Sequence, residues 1–204
     1  MTTPQSPRSD TRARIIDVAL ELFAEHGYEK TSLREIADRL GVTKAALYYH
    51  FKTKDDIVRG IVEKMAAPLD DAIAFGEGKD WSPELRDELL RRFAAGMGER
   101  APLLRFFHEN QPALRESAAG LAFKERMIKM ITLLHGPEPS FRDKLRATVA
   151  LTSMHSAMFL LKADLCEPGR EPVACATGVS ADEAMEAALE VALEVAAHIE
   201  PPAH

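Results

Sequence analysis

Residues 32–54 read SLREIADRLGVTKAALYYHFKTK, and the punctuation of this stretch decides the fold. Ser32 followed three places later by Glu35 is the capping-box pattern, in which each side chain takes up an orphan backbone N–H at a helix start. Leu33, Ile36, Ala37 and Leu40 then recur at helical spacing on one face. Gly41 ends that helix where the chain needs a positive φ, and Thr43 can cap a second, short helix running to about His50. Two short helices joined at a glycine turn have the plan of a helix-turn-helix. Leu33, Ile36, Ala37, Leu40, Val42, Leu47 and Phe51 supply the apolar seam. Lys44, Ala45, Ala46, Tyr48, Tyr49 and His50 are left for another surface. Two tyrosines and a histidine beside a lysine suit a DNA major groove better than plain solvent. Lysine can donate to guanine, alanines allow close approach and touch thymine methyls, and tyrosine hydroxyls reach phosphates.

Outward from this stretch, helix signals recur and strand signals are nearly absent. Upstream, Thr11–His26 places Ile16, Ala19, Leu20 and Phe23 on one face, with Gly27 as its stop. Downstream, a helix is predicted from Lys54 to about Ala74 with a kink at Pro68, then a looser stretch from Phe75 to Trp81. Ser82-Pro83 reads as N-cap and first helical residue of a helix to about Arg100. Shorter helices follow from Pro102 to before Pro112 and from Leu114 to His135. Gly136, Pro137 and Pro139 break the chain before Ser140, which caps a helix over 141–165. A Pro- and Gly-containing loop, 166–179, precedes a second capping box, Ser180 with Glu183, and a last helix over 181–198. The expected fold is all-α, with about nine helices. Residues 1–10 form a disordered arm, 11–53 a three-helix helix-turn-helix head, and 54–204 a ligand-binding and dimerisation domain joined to the head by its first helix.

Charge is divided along the 204 residues. The net charge of −6 argues against coating of nucleic acid by the whole molecule. Residues 1–54 hold nine Lys/Arg against seven Asp/Glu, while the remainder holds 17 against 25. DNA would be held by the first part and repelled by the second. No apolar run is long enough for a membrane span, and the polar, Pro/Ser-containing start lacks the apolar segment of a secretory signal. A cytoplasmic protein is expected. Cys166 and Cys175 read as two free cytosolic thiols, with no zinc-site spacing around them. A phosphate-binding glycine loop, a nucleophile elbow and closely spaced metal ligands are missing, so neither an enzyme nor a cofactor is expected.

The run 41–57, GVTKAALYYHFKTKDDI, together with 23–37, FAEHGYEKTSLREIA, resembles the signature of the TetR (tetracycline repressor) family of bacterial transcriptional regulators. The resemblance covers about residues 11–58 and implies roles there. Lys44, Ala45, Ala46 and Tyr49 fall where the family meets base edges. Thr31, Ser32, Thr43, Tyr48, His50 and Lys54 fall where it meets phosphates. Ala45 departs from the glycine frequent at its position. The expected function is that of a DNA-binding regulator, a repressor released from its operator by a small-molecule effector.

One helix-turn-helix makes too little contact for tight binding, so a two-fold homodimer on a near-palindromic double-stranded operator is expected. The helices over 141–165 and 181–198 are the candidate dimer surface, the second through Ala184, Ala187, Ala188, Val191 and Val195. The resembled family pairs these helices in a four-helix bundle. Met97, Phe107, His108, Met127, Met130, Met154, His155 and Met158 are candidate effector contacts, because methionine lines adaptable pockets and histidine in apolar surroundings can bond a ligand. Each methionine and phenylalanine is equally readable as core, and a lone histidine in a core is usually a satisfied one. His135 is a further histidine of this kind, and Trp81 reads as a lid or a surface anchor.

Overall fold

A computed structural model of the chain describes residues 7–97, 103, 106, 110, 114, 117–160 and 179–200, with backbone only for 7–10, 155, 158–160 and 181. The described residues are helical and contain no strand. Eight helices can be bounded: α1 Pro7–His26, α2 Leu33–Leu40, α3 Lys44–His50, α4 Lys54–Gly76, α5 Pro83–Ala95, α6 Ala118–His135, α7 Phe141–Leu160 and α8 Ala181–Ala196. Leu103, Phe106 and Leu114 are helical residues between α5 and α6. The chain divides into two compact units, 1–65 with 102–121, and 66–101 with 122–204.

The first unit is built on α1. Ile15, Ile16, Ala19, Leu20, Leu22 and Phe23 are buried on its inner face, against Ile36 and Ala37 of α2, Leu47 of α3 and Phe51. Ile57, Val58, Ile61, Val62 and Met65 extend this core along the start of α4. Helices α1 and α4 meet closely at Gly60, where an added Cβ would lie 2.9 Å from Ile16 Cδ1. Two ion pairs flank this seam, Arg12–Glu63 at 3.0 Å and Lys64–Asp17 at 2.5 Å. Both are solvent-exposed, so packing along the seam outweighs them in stability.

The second unit is centred on Leu69, Leu89, Leu90, Phe93, Met97, Met130, Leu134, Leu151 and Met154. Helix α8 packs on α7 and α5, sending Ala184, Met185, Ala188, Ala192 and Ala196 inward. Asp70 of α4 pairs with Arg126 of α6 at 2.7 Å, and Glu77 pairs with Lys129. Pro68 stays inside a continuous α4, and Gly96 after α5 leaves room for it: a Cβ on Gly96 would stand 2.6 Å from Pro68 Cβ.

Several boundaries differ from those read in the sequence. Helix α1 begins at Pro7, so the last residues of the expected arm are helical; proline suits a helix's first turn because its missing N–H has no partner to lose there. Helix α4 continues through Phe75 and Gly76, where a looser stretch was expected. Close packing explains this glycine, since a Cβ would meet Leu89 Cδ2 at 3.1 Å and Leu133 Cδ1 at 3.3 Å. Helix α5 stops at Ala95 rather than near Arg100. Trp81 is an anchor: its indole Nε1 donates to Leu134 O at 3.1 Å, and its ring lies where a Cβ on Gly136 would stand. The loop with Cys166 and Cys175 lies outside the described residues.

Candidate nucleic-acid interface

The geometry of the interface is set by local chemistry that the sequence spells out. Ser32 Oγ accepts from Glu35 N at 3.2 Å, and Glu35 Oε2 accepts in return from Ser32 N, closing the capping box of α2. Gly41 has φ +71° and ends α2 with its N–H directed back to the carbonyls of Ala37 and Asp38. Thr43 Oγ1 accepts from Ala46 N at 3.2 Å and starts α3. Helix α2 is also tied to the end of α1: Arg39 holds Glu25 at 2.8 Å, and His26 Nδ1 lies 2.7 Å from Glu35 Oε1. The hydrogen bond from Arg39, which outweighs desolvation, holds the Glu25 carboxyl below its ordinary range.

On this base α3 is a seven-residue rod with two faces. Leu47 is fully buried and Phe51, just past its end, is 2% exposed. Lys44, Ala45, Ala46, Tyr48 and Tyr49 all point outward, Tyr48 at 38% and Tyr49 at 68% exposure. Lys44 Nζ lies 5.3 Å from the Tyr48 ring centroid, and the Tyr49 and His50 rings meet edge-on at 5.3 Å. Exposed Ser32 and Thr43 sit at the starts of α2 and α3, and His50 is half-buried at the end of α3. Lys30, Arg34 and Lys52 add exposed cations in the same unit. This surface offers a donor, two methyls and two phenols in under two helical turns, the chemistry that reads base edges and phosphates.

Two side chains expected at phosphates, Thr31 and Lys54, have partners within the protein. The Thr31 side chain is buried at 1% exposure, and its hydroxyl lies 2.9 Å from Gly27 O and 3.2 Å from Leu22 O. It closes the turn between α1 and α2 and has no surface to give to DNA. Lys54 is half-buried. Its Nζ donates to Tyr28 O at 2.9 Å and Glu29 O at 3.2 Å, and lies 4.4 Å from the Tyr28 ring centroid. The start of α4 is likewise taken up internally. Asp56 Oδ2 accepts from Lys52 N at 3.1 Å and Thr53 N at 3.0 Å, and Thr53 Oγ1 accepts from Asp56 N. The Thr53 bond, ahead of the opposing desolvation, holds the Asp56 carboxyl below its ordinary range.

Tyr28 was missed in the sequence, although an aromatic next to a helix-ending glycine in a polar turn is a signal of anchoring. Its hydroxyl donates to Asp55 Oδ1 at 2.8 Å. Burial first, and the Asp55 carboxylate second, push its phenol up to about 12.

The candidate effector residues divide. Met97, Met130 and Met154 are buried in the core of the second unit, and Met127 is half-buried. Phe107 and His108 lie outside the described residues, as do the side chains of His155 and Met158. His135 Nδ1 lies 2.7 Å from Gly136 O, a local bond at the end of α6. Among the described residues every buried side-chain N or O has a hydrogen-bond partner, and no three His, Cys, Asp or Glu cluster as metal ligands.

Residues 15–61 match the family described as "Bacterial regulatory proteins, tetR family". The chain is 52% identical over 54 residues to the transcriptional regulator AcrR of Shigella flexneri, which is 26% of this chain and 25% of that protein. It is 36% identical over 75 residues to the transcriptional repressor KstR2 of Rhodococcus jostii, covering 35% and 37% of the two chains. The matched stretches thus span between a quarter and two fifths of these relatives' lengths. A solved TetR/AcrR-family transcriptional regulator from Thermobifida fusca is similar over the whole fold, with 30% identity, 90% of this chain and 97% of that one covered, and a TM-score of 0.50. The signature at residues 15–61, the all-helical fold and the full-length likeness agree, and the chain belongs to the tetR family of bacterial regulatory proteins.

Proposed function

We propose that the protein is a sequence-specific DNA-binding transcriptional regulator, a repressor that a small-molecule effector releases from its operator. One observation carries the reading: α3 holds Leu47 and Phe51 inward while Lys44, Ala45, Ala46, Tyr48 and Tyr49 face out. Lys44, Ala45, Ala46 and Tyr49 meet base edges, and Ser32, Thr43, Tyr48 and His50 meet phosphates. KstR2, to which the chain is 36% identical over 75 residues, is named a repressor, which supports repression over activation. Selection of bound fragments from random duplex DNA tests the reading. A recurring near-palindromic site is expected, and a chain that prefers no duplex sequence would overturn it.

The protein binds as a homodimer through α7 and α8. Phe141, Leu145 and Val149 form an exposed apolar stripe on α7, and Val191 is exposed on α8 beside exposed Ala187. The stripe expected on α8 is split. Ala184 and Ala188 are buried within the unit, with Ser153 Oγ 3.3 Å from Ala188 O. Only Ala187 and Val191, with half-buried Val195, are left for a partner. The effector is an apolar molecule that enters the second unit near Met97, Met130 and Met154, since methionines repack around a ligand at small cost. Its binding must differ between the DNA-competent and released states to change operator affinity. Titration of candidate compounds against a labelled operator tests this.

A further inference from the structure

Tyr28 stands where three stretches of the first unit meet. Its ring packs edge-on against Phe23 of α1, with centroids 5.3 Å apart, and against Phe106 at 6.4 Å. Phe23 and Phe106 stack on each other at 5.4 Å. Its hydroxyl reaches Asp55, its carbonyl oxygen accepts from Lys54, and the same ammonium lies over its ring. The first turn of α4 is thereby fixed to the turn after α1. Only Phe51, Lys52 and Thr53 separate that turn from α3.

Phe106 has a telling place in the chain. Residues 102–121 belong to the first compact unit, but they are joined at Ala101 and at Ala122 to stretches of the second. The chain leaves the first unit after Met65, and returns to it only here. Phe106 is 4% exposed, so a shift of its ring cannot leave Phe23 and Tyr28 untouched in a close-packed core.

We infer that Tyr28 is a positioning residue, through which Phe106 sets the pose of α3 and hence the affinity for DNA. The inference rests on the regulator reading and adds a residue that fixes the reading helix without touching DNA. Tyr28 touches no base or phosphate in this scheme. It acts through Asp55 and Lys54 on the start of α4.

The test uses the full chain and a duplex selected from random DNA, with circular dichroism and cooperative melting as the check on folding. Tyr28→Phe keeps the ring and removes the bond to Asp55. Phe106→Leu keeps burial and removes the ring contact. Each is expected to lower affinity on the order of 5- to 50-fold while leaving the slope of log affinity against log salt unchanged, because no phosphate contact is removed. The double variant should lose no more than the worse single variant, since both lie on one path. Asp55 is exposed, so its variants are expected to keep the fold and serve as the second set where the buried ones do not. Asp55→Asn, which still accepts from the phenol, should bind like the parent, and Asp55→Ala should bind like Tyr28→Phe. Folded variants binding within about twofold of the parent, or losses that simply add, would overturn the inference. A parent that binds no duplex overturns the regulator reading itself, a result visible before any variant is made.

Discussion

Lys44 and Leu47 lie within one turn of each other on α3, and their fates are opposite: Leu47 is sealed in the core, and Lys44 faces solvent. Removing a base-reading lysine leaves the correct base unpaired and wrong bases unaffected. Lys44→Ala should therefore lose about 1–3 kcal/mol at the base pair it reads and little elsewhere, measured by binding to a panel of single-base variants of the selected site. Equal losses on every sequence would make Lys44 a phosphate contact. Tyr28 carries a prediction in pH. Its phenol is raised from 10.0 to about 12, so folding favours the protonated form. That stability is fully present below pH 10 and is lost as pH rises towards 12. Melting temperature should fall across this window in the parent, and part of the fall should vanish in Tyr28→Phe. At this scale, residues whose partners are close in sequence were legible, as Ser32 with Glu35 and Thr43 with Ala46 demonstrate. Thr31 and Lys54, expected at phosphates, have partners within the protein that spacing did not show, because acceptors such as Leu22 O, nine residues from Thr31, and Tyr28 O, 26 from Lys54, are set by the fold.

Helices were legible where side chains cap them and illegible where packing decides. The two Ser-Glu capping boxes and Gly27, Gly41 and Gly136, all at positive φ, fall where the sequence placed them. The end of α4 did not, because Gly76, its last residue, is set by close packing on Leu89 and Leu133, a role composition does not carry. The same contrast separates two substitutions. A Cβ on Gly41 meets nothing within 4 Å, so Gly41→Ala costs only the left-handed backbone, about 1–2 kcal/mol. At Gly96 the backbone is right-handed, and the obstacle is Pro68 Cβ at 2.6 Å. Gly96→Ala must therefore push α4 and the end of α5 apart, at about 1–3 kcal/mol. Chemical denaturation of both variants checks the ranking, and DNA binding separates them further. Gly41→Ala should weaken binding through the turn between α2 and α3, while Gly96→Ala, in the second unit, should leave the DNA-contact residues intact. Ser32→Ala, which removes the α2 cap, should cost about 1 kcal/mol of stability.

For the molecule as a whole, the decisive quantity is the number of α3 rods that reach DNA together. A single rod of seven residues buries too little to hold an operator against competing sites, and two on a common two-fold axis square the selectivity. The charge division favours this arrangement, since an anionic bulk keeps all but the N-terminal parts away from phosphate. Dimer formation must then cover apolar surface that one chain leaves open. Phe141 at 82% exposure, with Leu145 and Val149 one and two turns further along α7, is the exposed apolar surface proposed for it. The stripe read on α8 in the sequence is half spent on packing against its own α7 and α5, a division that spacing alone does not carry. Leu145→Glu places a charge in the proposed interface while leaving each chain's own core untouched, because the side chain is half exposed in the single chain. Sedimentation should show the parent as a dimer and Leu145→Glu as a folded monomer with an unchanged circular dichroism spectrum. The monomer should bind a half-site as weakly as the parent does and lose the extra affinity the parent gains on a full palindrome. A monomeric variant that still prefers the palindrome would place the pairing of the two rods on DNA elsewhere in the chain.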